Sequence, residues 1–253
     1  MTARVLVERR SSDVVTLILN RPEKRNALDF DLLDALTRSV VEEGARASVV
    51  ILRGAGREAF SSGFDLDALT GTASDLEADA AVGRAADALR DCPVPVIAQL
   101  EGHCHGAAVD LALHCDLRLA TDGLNFSLRA VELGVVYRTE LLSRLVAITG
   151  FARAEHLLFA MPVLDAATAL SWGLVGEITP ASQIDMRIDQ IATRLAGAPR
   201  SAVTGTKATF ALFARDEDSV RTAAPWRSAA ASSDERMSAL NAARARLGRP
   251  PQR

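Results

Sequence analysis

Aromatic residues make up only 4% of the 253-residue chain, and lysine occurs just twice, as Lys24 and Lys207. A core with so few rings is built mainly from Ala, Val and Leu. The lysine shortage stands against many arginines and reads as genomic base composition rather than function. Positive charge is not in excess: the formal net charge is −3, which argues against a nucleic-acid partner bound by neutralising phosphates. The three cysteines, Cys92, Cys104 and Cys115, are an odd, sparse set without paired spacing. They exclude a disulfide framework and read as buried free thiols in a reducing compartment. No stretch approaches the roughly 20 apolar residues of a membrane span, and the opening residues MTARVLVERR lack the apolar centre of a signal peptide. A cytoplasmic protein with no membrane partner is expected.

The length suffices for one large domain or for a core with an appendage. The β-branched runs Arg4–Glu8 and Val14–Asn20 predict a hairpin turning through Arg9–Asp13. Leu28, Leu32, Leu33, Leu36 and Val40 recur at helical spacing, so Asp29–Gly44 is expected to be an amphipathic helix. Ser48–Arg53 reads as a buried strand, Thr70–Asp91 as a loop and helix, and Val94–Leu100 as a strand whose prolines put its start at a sheet edge or rim. Ala107–His114 reads as a helix and Leu117–Ala120 as a short strand. Such alternation predicts an α/β fold with right-handed crossovers. Glu140–Ile148, Ala152–Ala160, Ala166–Trp172, Gln183–Ala196 and Ala202–Ala214 are predicted helices, and Leu174–Ile178 is the strand candidate among the later ones. The expected plan is an α/β core over residues 1–195 and a helical region over 196–253.

Two segments carry the candidate chemistry. Ala59–Leu69 (AFSSGFDLDAL) and Glu101–Asp116 (EGHCHGAAVDLALHCD) each put small residues where a strand ends and another element begins. Backbone N–H groups are exposed at such places. Two of them converging, from Phe64 and Ala107, make an oxyanion hole for a thioester oxygen. Read locally, Gly106–Ala108 serves equally well as a tight strand-to-helix turn. Asp110 follows Ala107 by one helical turn, on the same face. It suits a general acid or base, or an acidic residue favoured by the helix dipole.

The chain resembles the enoyl-CoA hydratase/isomerase, or crotonase, superfamily over almost its whole length. The resemblance rests on Asn20–Asp29 (NRPEKRNALD), Phe60–Leu69 (FSSGFDLDAL), Gly102–Asp116 and Ala169–Leu174 (ALSWGL). It implies a spiral of repeated ββα units forming two sheets, and a homotrimer or dimer of trimers held by C-terminal helices. A coenzyme A thioester is then the ligand, with no permanently bound cofactor. The amides of Phe64 and Ala107 match the family's oxyanion donors. Phe64, Asp65, Leu66 and Asp67 match the stretch lining the thioester and adenine, and Gly106 and Ala107 lie against the acyl carbonyl. Asp110 falls where hydratases of the family carry a glutamate.

The second acid is where the chain departs. The proline-glutamate pair of the hydratases matches Arg129 and Ala130, and alanine moves no proton. Glu132 and Glu140 are the candidate replacements. Glu132 reads as a surface acid, and Glu140 as either a group entering the pocket or a first-turn helix residue. His103 and His105 flank Cys104 with no third ligand at a zinc-like spacing, so no metal is expected. One histidine, taken as His103, is expected in the acyl pocket as a proton carrier. His114 and His156 read as structural. Lys24, Arg25 and Lys207 are candidates for the CoA phosphates. The favoured activity is hydration or double-bond isomerisation of an enoyl-CoA. The alternatives are a non-catalytic fatty acyl-CoA binder of the same fold and, third, direct attack by Asp110 on carbon.

Overall fold

The computed structural model describes residues 3–69, 75–129, 131–133 and 135–213. Ala130, residues 70–74 and residues 214–253, the greater part of the expected C-terminal region, lie outside them.

The hairpin is present: β1 (Val5–Arg9) and β2 (Val14–Leu19) pair antiparallel, with Val5 opposite Leu19. The predicted first helix follows as α1 (Phe30–Gly44). Its N-cap is Asp29, whose carboxylate accepts the Leu32 N–H at 2.8 Å, satisfying a donor that the first turn leaves over. Next come β3 (Val49–Gly54), β4 (Ala59–Ser61), α2 (Leu76–Asp91), β5 (Val96–Leu100), β6 (His103–His105), α3 (Ala107–His114), β7 (Leu117–Thr121) and β8 (Asn125–Ser127). The chain continues through α4 (Thr139–Thr149), α5 (Phe151–Phe159), β9 (Leu164–Asp165), α6 (Ala166–Ser171), β10 (Glu177–Thr179), α7 (Ile184–Ala196) and α8 (Arg200–Phe213).

The strands form two sheets, in the orders β1-β2-β3-β5-β7-β10 and β4-β6-β8-β9. Three successive units, β3-β4-α2, β5-β6-α3 and β7-β8-α4, each give one strand to either sheet before the helix. This is the repeated ββα plan of the crotonase fold. Within the larger sheet all pairs after the hairpin are parallel. Val50 and Leu52 of β3 face the core made by α1, α2 and α3, whereas Val49 and Ile51 face Ile184, Ile188 and Ala192 of α7. Burial on both faces explains why β3 reads as a continuous apolar run.

One strand expectation is met and one is corrected. β5 is an interior strand between β3 and β7, and its prolines precede it at the rim. The strand expected over Leu174–Ile178 is displaced to β10. The four strands of the smaller sheet, two or three residues each, are too short to show alternation.

Lys207 is also corrected. It meets no solvent-facing phosphate position, being 8% exposed. Its ammonium donates to the Leu89 and Val94 carbonyls at 3.3 and 2.9 Å and to Asp116 Oδ2 at 2.7 Å. The same carboxylate oxygen accepts the Val96 N–H at 2.7 Å. Lys207 thus ties α8 to the ends of α2 and to the starts of β5 and β7. Lys207 is buried and Asp116 a third exposed, so losing the ammonium leaves a partly screened carboxylate and two carbonyls short of a donor. Lys207→Met is expected to lower unfolding stability by about 3 kcal/mol in urea titration; a loss below about 0.5 kcal/mol would contradict this role.

Candidate active site

Three strands of the smaller sheet run parallel and stop at one place. β4 leads into Ser62–Phe64, β6 into Gly106–Ala107, and β8 ends at Ser127. Their alignment is fixed by pairing of Ser61 with Cys104 and of His105 with Ser127. The Gly106 N–H donates to the Ser127 carbonyl at 2.9 Å, locking the end of β6 to that of β8.

Two glycines make the approach possible. Gly63 has φ +93° and Gly106 φ +55°, conformations that side chains disfavour. A Cβ on Gly63 would stand 2.7 Å from the His105 carbonyl oxygen and 3.5 Å from the Ala107 nitrogen. The Gly63–Phe64 peptide therefore lies directly against the start of α3. Leu28 brackets it, donating its N–H to the Gly63 carbonyl and accepting from the Asp65 N–H, both at 2.8 Å. Among the described residues, neither the Phe64 N–H nor the Ala107 N–H donates to a protein acceptor. Two adjacent unpaired donors, one at a helix N-terminus, suit an oxygen that carries or develops negative charge.

Both amides line a cavity of about 820 Å³, within the range of small-molecule sites. Its wall is mainly apolar, with Leu66, Leu69, Val82, Val135, Val136 and Leu141. The polar groups include Asp79, His105, Asp110, Ser127 and Tyr137. The Tyr137 hydroxyl stands 3.8 Å from where a Cβ on Gly106 would lie, next to the paired amides.

Asp110 reaches the cavity from α3, but its carboxylate is engaged. Arg138 Nε donates to Oδ2 at 2.7 Å and Nη2 to Oδ1 at 3.3 Å, while His114 Nδ1 lies 3.0 Å from Oδ1. His114 is therefore part of the site's charge network as well as of the core. Burial works to raise the Asp110 carboxyl. The His114 and Arg138 contacts outweigh it and hold the group below its usual range. Asp79, on α2, goes the other way. Burial raises it, Arg138 opposes, and the Asp110 and Glu140 charges add to the rise. The guanidinium fits because α2 has a glycine there: a Cβ on Gly83 would come within 3.2 Å of Arg138 Nη1.

Other expected residues are not brought into the cavity. Glu140 opens α4, but its side chain is 58% exposed, 3.7 Å from Arg138, and does not line the cavity. The helix start turns it outward, so it does not supply the missing second acid. The histidine in the cavity wall is His105 rather than His103. The two lie on the same face of β6, two residues apart, and their rings meet edge to face at 5.0 Å, with His105 at the end nearer the cavity. Glu132 does line the cavity, paired with Arg129 at 2.8 Å. Lys24 is held by Asp65 and Asp67, at 3.1 and 2.8 Å, and Arg25 by Glu58 at 2.6 Å. A phosphate there would have to displace an existing ion pair. Phe64 packs edge-on to Phe30 at 5.6 Å, and Asp65 is tied to Arg21 at 2.9 Å.

Asp79, Ser127, Tyr137 and Arg138 were not singled out from sequence. Only the Asp79/Gly83/Asp87 spacing on one helix face, with acids either side of a glycine, carried a readable signal.

Similarity to known proteins gives the family. Residues 9–227 match the model of the enoyl-CoA hydratase/isomerase family. The chain is 32% identical to the peroxisomal Delta(3,5)-Delta(2,4)-dienoyl-CoA isomerase of Arabidopsis thaliana, over 95% of this chain and 93% of that protein. It is 29% identical to the mitochondrial enoyl-CoA hydratase domain-containing protein 3 of Rattus norvegicus, over 82% and 70%. The crystal structure of an enoyl-CoA hydratase/carnithine racemase from Magnetospirillum magneticum superposes with a TM-score of 0.85 at 28% identity, covering 100% of this chain and 96% of that one. The chain belongs to the enoyl-CoA hydratase/isomerase family.

Proposed function

We propose that this chain binds an acyl-CoA thioester with its carbonyl oxygen between the Phe64 and Ala107 amides and shifts a double bond of the acyl chain through the enolate. The observation that carries this reading is the pair of unpaired N–H groups held side by side at the end of an apolar cavity. In the shift, a C–H bond on the acyl chain breaks and its proton passes to a carboxylate. The electron pair moves through the conjugated system to the thioester oxygen, where the two donors stabilise it. The proton then returns to the other carbon. Each such donor is worth roughly 3–4 kcal/mol in an acyl-transfer site.

Isomerisation is favoured over hydration because it moves a proton between two carbons and needs no water placed against the acyl chain. It needs one proton carrier at a time, and Glu140, the expected second acid, faces away. Asp110 is the proposed carrier. Arg138 and His114 hold it charged and oriented, and the same contacts reduce its basicity. Asp79, shifted upward, is the second group that can hold the proton.

One observation favours the alternative of acyl-CoA binding without turnover: both Asp110 oxygens already have partners. Assay of the purified protein with 2-enoyl-, 3-enoyl- and dienoyl-CoAs, alongside equilibrium binding, separates the two. Isomerisation is expected; binding to all without turnover of any would establish the alternative.

Two variants test the carrier. Asp110→Asn is expected to lower kcat by about 10²–10⁴-fold with little change in thioester affinity; unchanged kcat would remove Asp110 from the chemistry. Arg138→Met takes away a contact that depresses the Asp110 carboxyl, so that group must rise. The acid limb of the kcat–pH profile is then expected to move to higher pH, and a limb that stays in place would contradict the assignment.

A further inference from the structure

The direction of the Phe64 N–H is set from outside the cavity. Leu28 and Phe64 form a parallel bridge. The Leu28 N–H meets the Gly63 carbonyl, and the Leu28 carbonyl meets the Asp65 N–H. In that pattern the N–H of Phe64 itself points away from Leu28. β6 pairs with β4 from the opposite side, so the Phe64 N–H turns toward the side from which α3 starts.

The bridging segment is folded back on itself. Arg25 and Asn26 are both left-handed, with φ +51° and +56°, conformations that side chains disfavour. Asn26 is fully buried. Its amide nitrogen donates to the Ala55 and Ala59 carbonyls at 3.0 and 2.9 Å, and its oxygen accepts the Arg21 N–H at 3.1 Å. The turn lays residues 25–28 along residues 62–65, with the Ser62 N–H donating to the Arg25 carbonyl at 3.0 Å.

Arg21 then straddles the bridge. Its Nη1 donates to the carbonyl of Ala27, one residue before Leu28, at 2.8 Å. Its Nη2 donates to Oδ2 of Asp65, one residue after Phe64, at 2.9 Å. Nη1 also lies 3.1 Å from Oδ2 of Asp29, the N-cap of α1. The side chains of Arg21 and Asp65 are both buried, and Nε of Arg21 has no acceptor among the described residues. A buried guanidinium with a donor left over is a weak source of stability. What it does supply is a rigid planar fork that fixes the spacing of the groups it touches. Burial works to raise the Asp65 carboxyl; Arg21, Lys24 and the Asp67 N–H outweigh it and hold the group below its usual range.

We infer that Arg21 is a positioning residue of the oxyanion site: by holding Ala27 and Asp65 across the Leu28–Phe64 bridge, it keeps the Phe64 N–H aimed at the acyl oxygen. Arg21 does not itself line the cavity. The inference rests on the thioester reading above.

The probe is butyryl-CoA labelled with ¹³C at the thioester carbonyl, bound to the full-length protein and followed by infrared difference spectroscopy and titration calorimetry. Arg21→Lys keeps the charge and loses the fork. It is expected to return the carbonyl band at least halfway to its solution position while Kd stays within about threefold, and to lower kcat by about 10–100-fold on any thioester the wild type turns over. Asp65→Asn keeps an acceptor for the Asp67 N–H but removes the charge facing Arg21, and is expected to give the same pattern; it reads the contact if Arg21→Lys does not fold. Arg9→Lys is the control. It breaks the paired contacts of 2.8 and 2.7 Å to Glu43, neither residue lines the cavity, and the band is expected to stay in place. A wild-type band in Arg21→Lys or Asp65→Asn, or an equal displacement in Arg9→Lys, would overturn the positioning role and leave the thioester reading standing. A wild type that does not bind the probe, or binds it with an unshifted band, would overturn both.

Discussion

Two peptide N–H groups without an acceptor of their own are held side by side, and the rest of the site is arranged around that pair. Unsatisfied buried donors are unfavourable, so they persist only where the backbone leaves them no alternative. Here the constraint is the parallel pairing of β4, β6 and β8. It ends three strands at one level and lets Gly63 approach within a few ångströms of Ala107. Each ββα unit gives the larger sheet a buried strand and the smaller sheet a short one. The larger sheet supplies the apolar burial; the smaller one positions the chemistry.

The second constraint is electrostatic. Arg138 enters between α2 and α3, where Gly83 leaves room for it, and divides its charge unequally between two acids. Asp110 receives direct hydrogen bonds and is held ionised, while Asp79 experiences the guanidinium only at a distance and is pushed up by burial. Divergent environments for neighbouring carboxyls are how one site holds a proton acceptor and a proton donor together.

Much of this was legible in the sequence, for physical reasons. α1 and α3 show their period because one face of each is buried. The α/β alternation and the family motifs led to the fold, and the glycine-bearing strand ends singled out Phe64 and Ala107, two residues that line one cavity. What was not legible depends on distance across the fold. A three-residue strand such as β6 has no period to read, and nothing local shows that His105, two residues nearer the strand end than His103, is the ring that reaches the cavity wall. Glu140 sits in a helix's first turn, where orientation is set by how α4 leaves Arg138. Lys207 looked like a surface cation because nothing local shows that Asp116, the Leu89 carbonyl of α2 and the Val94 carbonyl before β5 await it. Arg138 was hidden for the same reason: its partners are 28 and 51 residues away in the chain.

The central claim is that the Phe64 and Ala107 amides polarise one acyl oxygen. The most direct measurement is isotope-edited infrared difference spectroscopy of a bound acyl-CoA carrying a ¹³C label at the thioester carbonyl. Donation from two N–H groups weakens the C=O bond, so the carbonyl band is predicted to shift to lower frequency on binding. The shift should diminish when Gly63→Ala disturbs the approach of the two segments. A tightly bound thioester whose carbonyl band stays at its solution position would contradict the account.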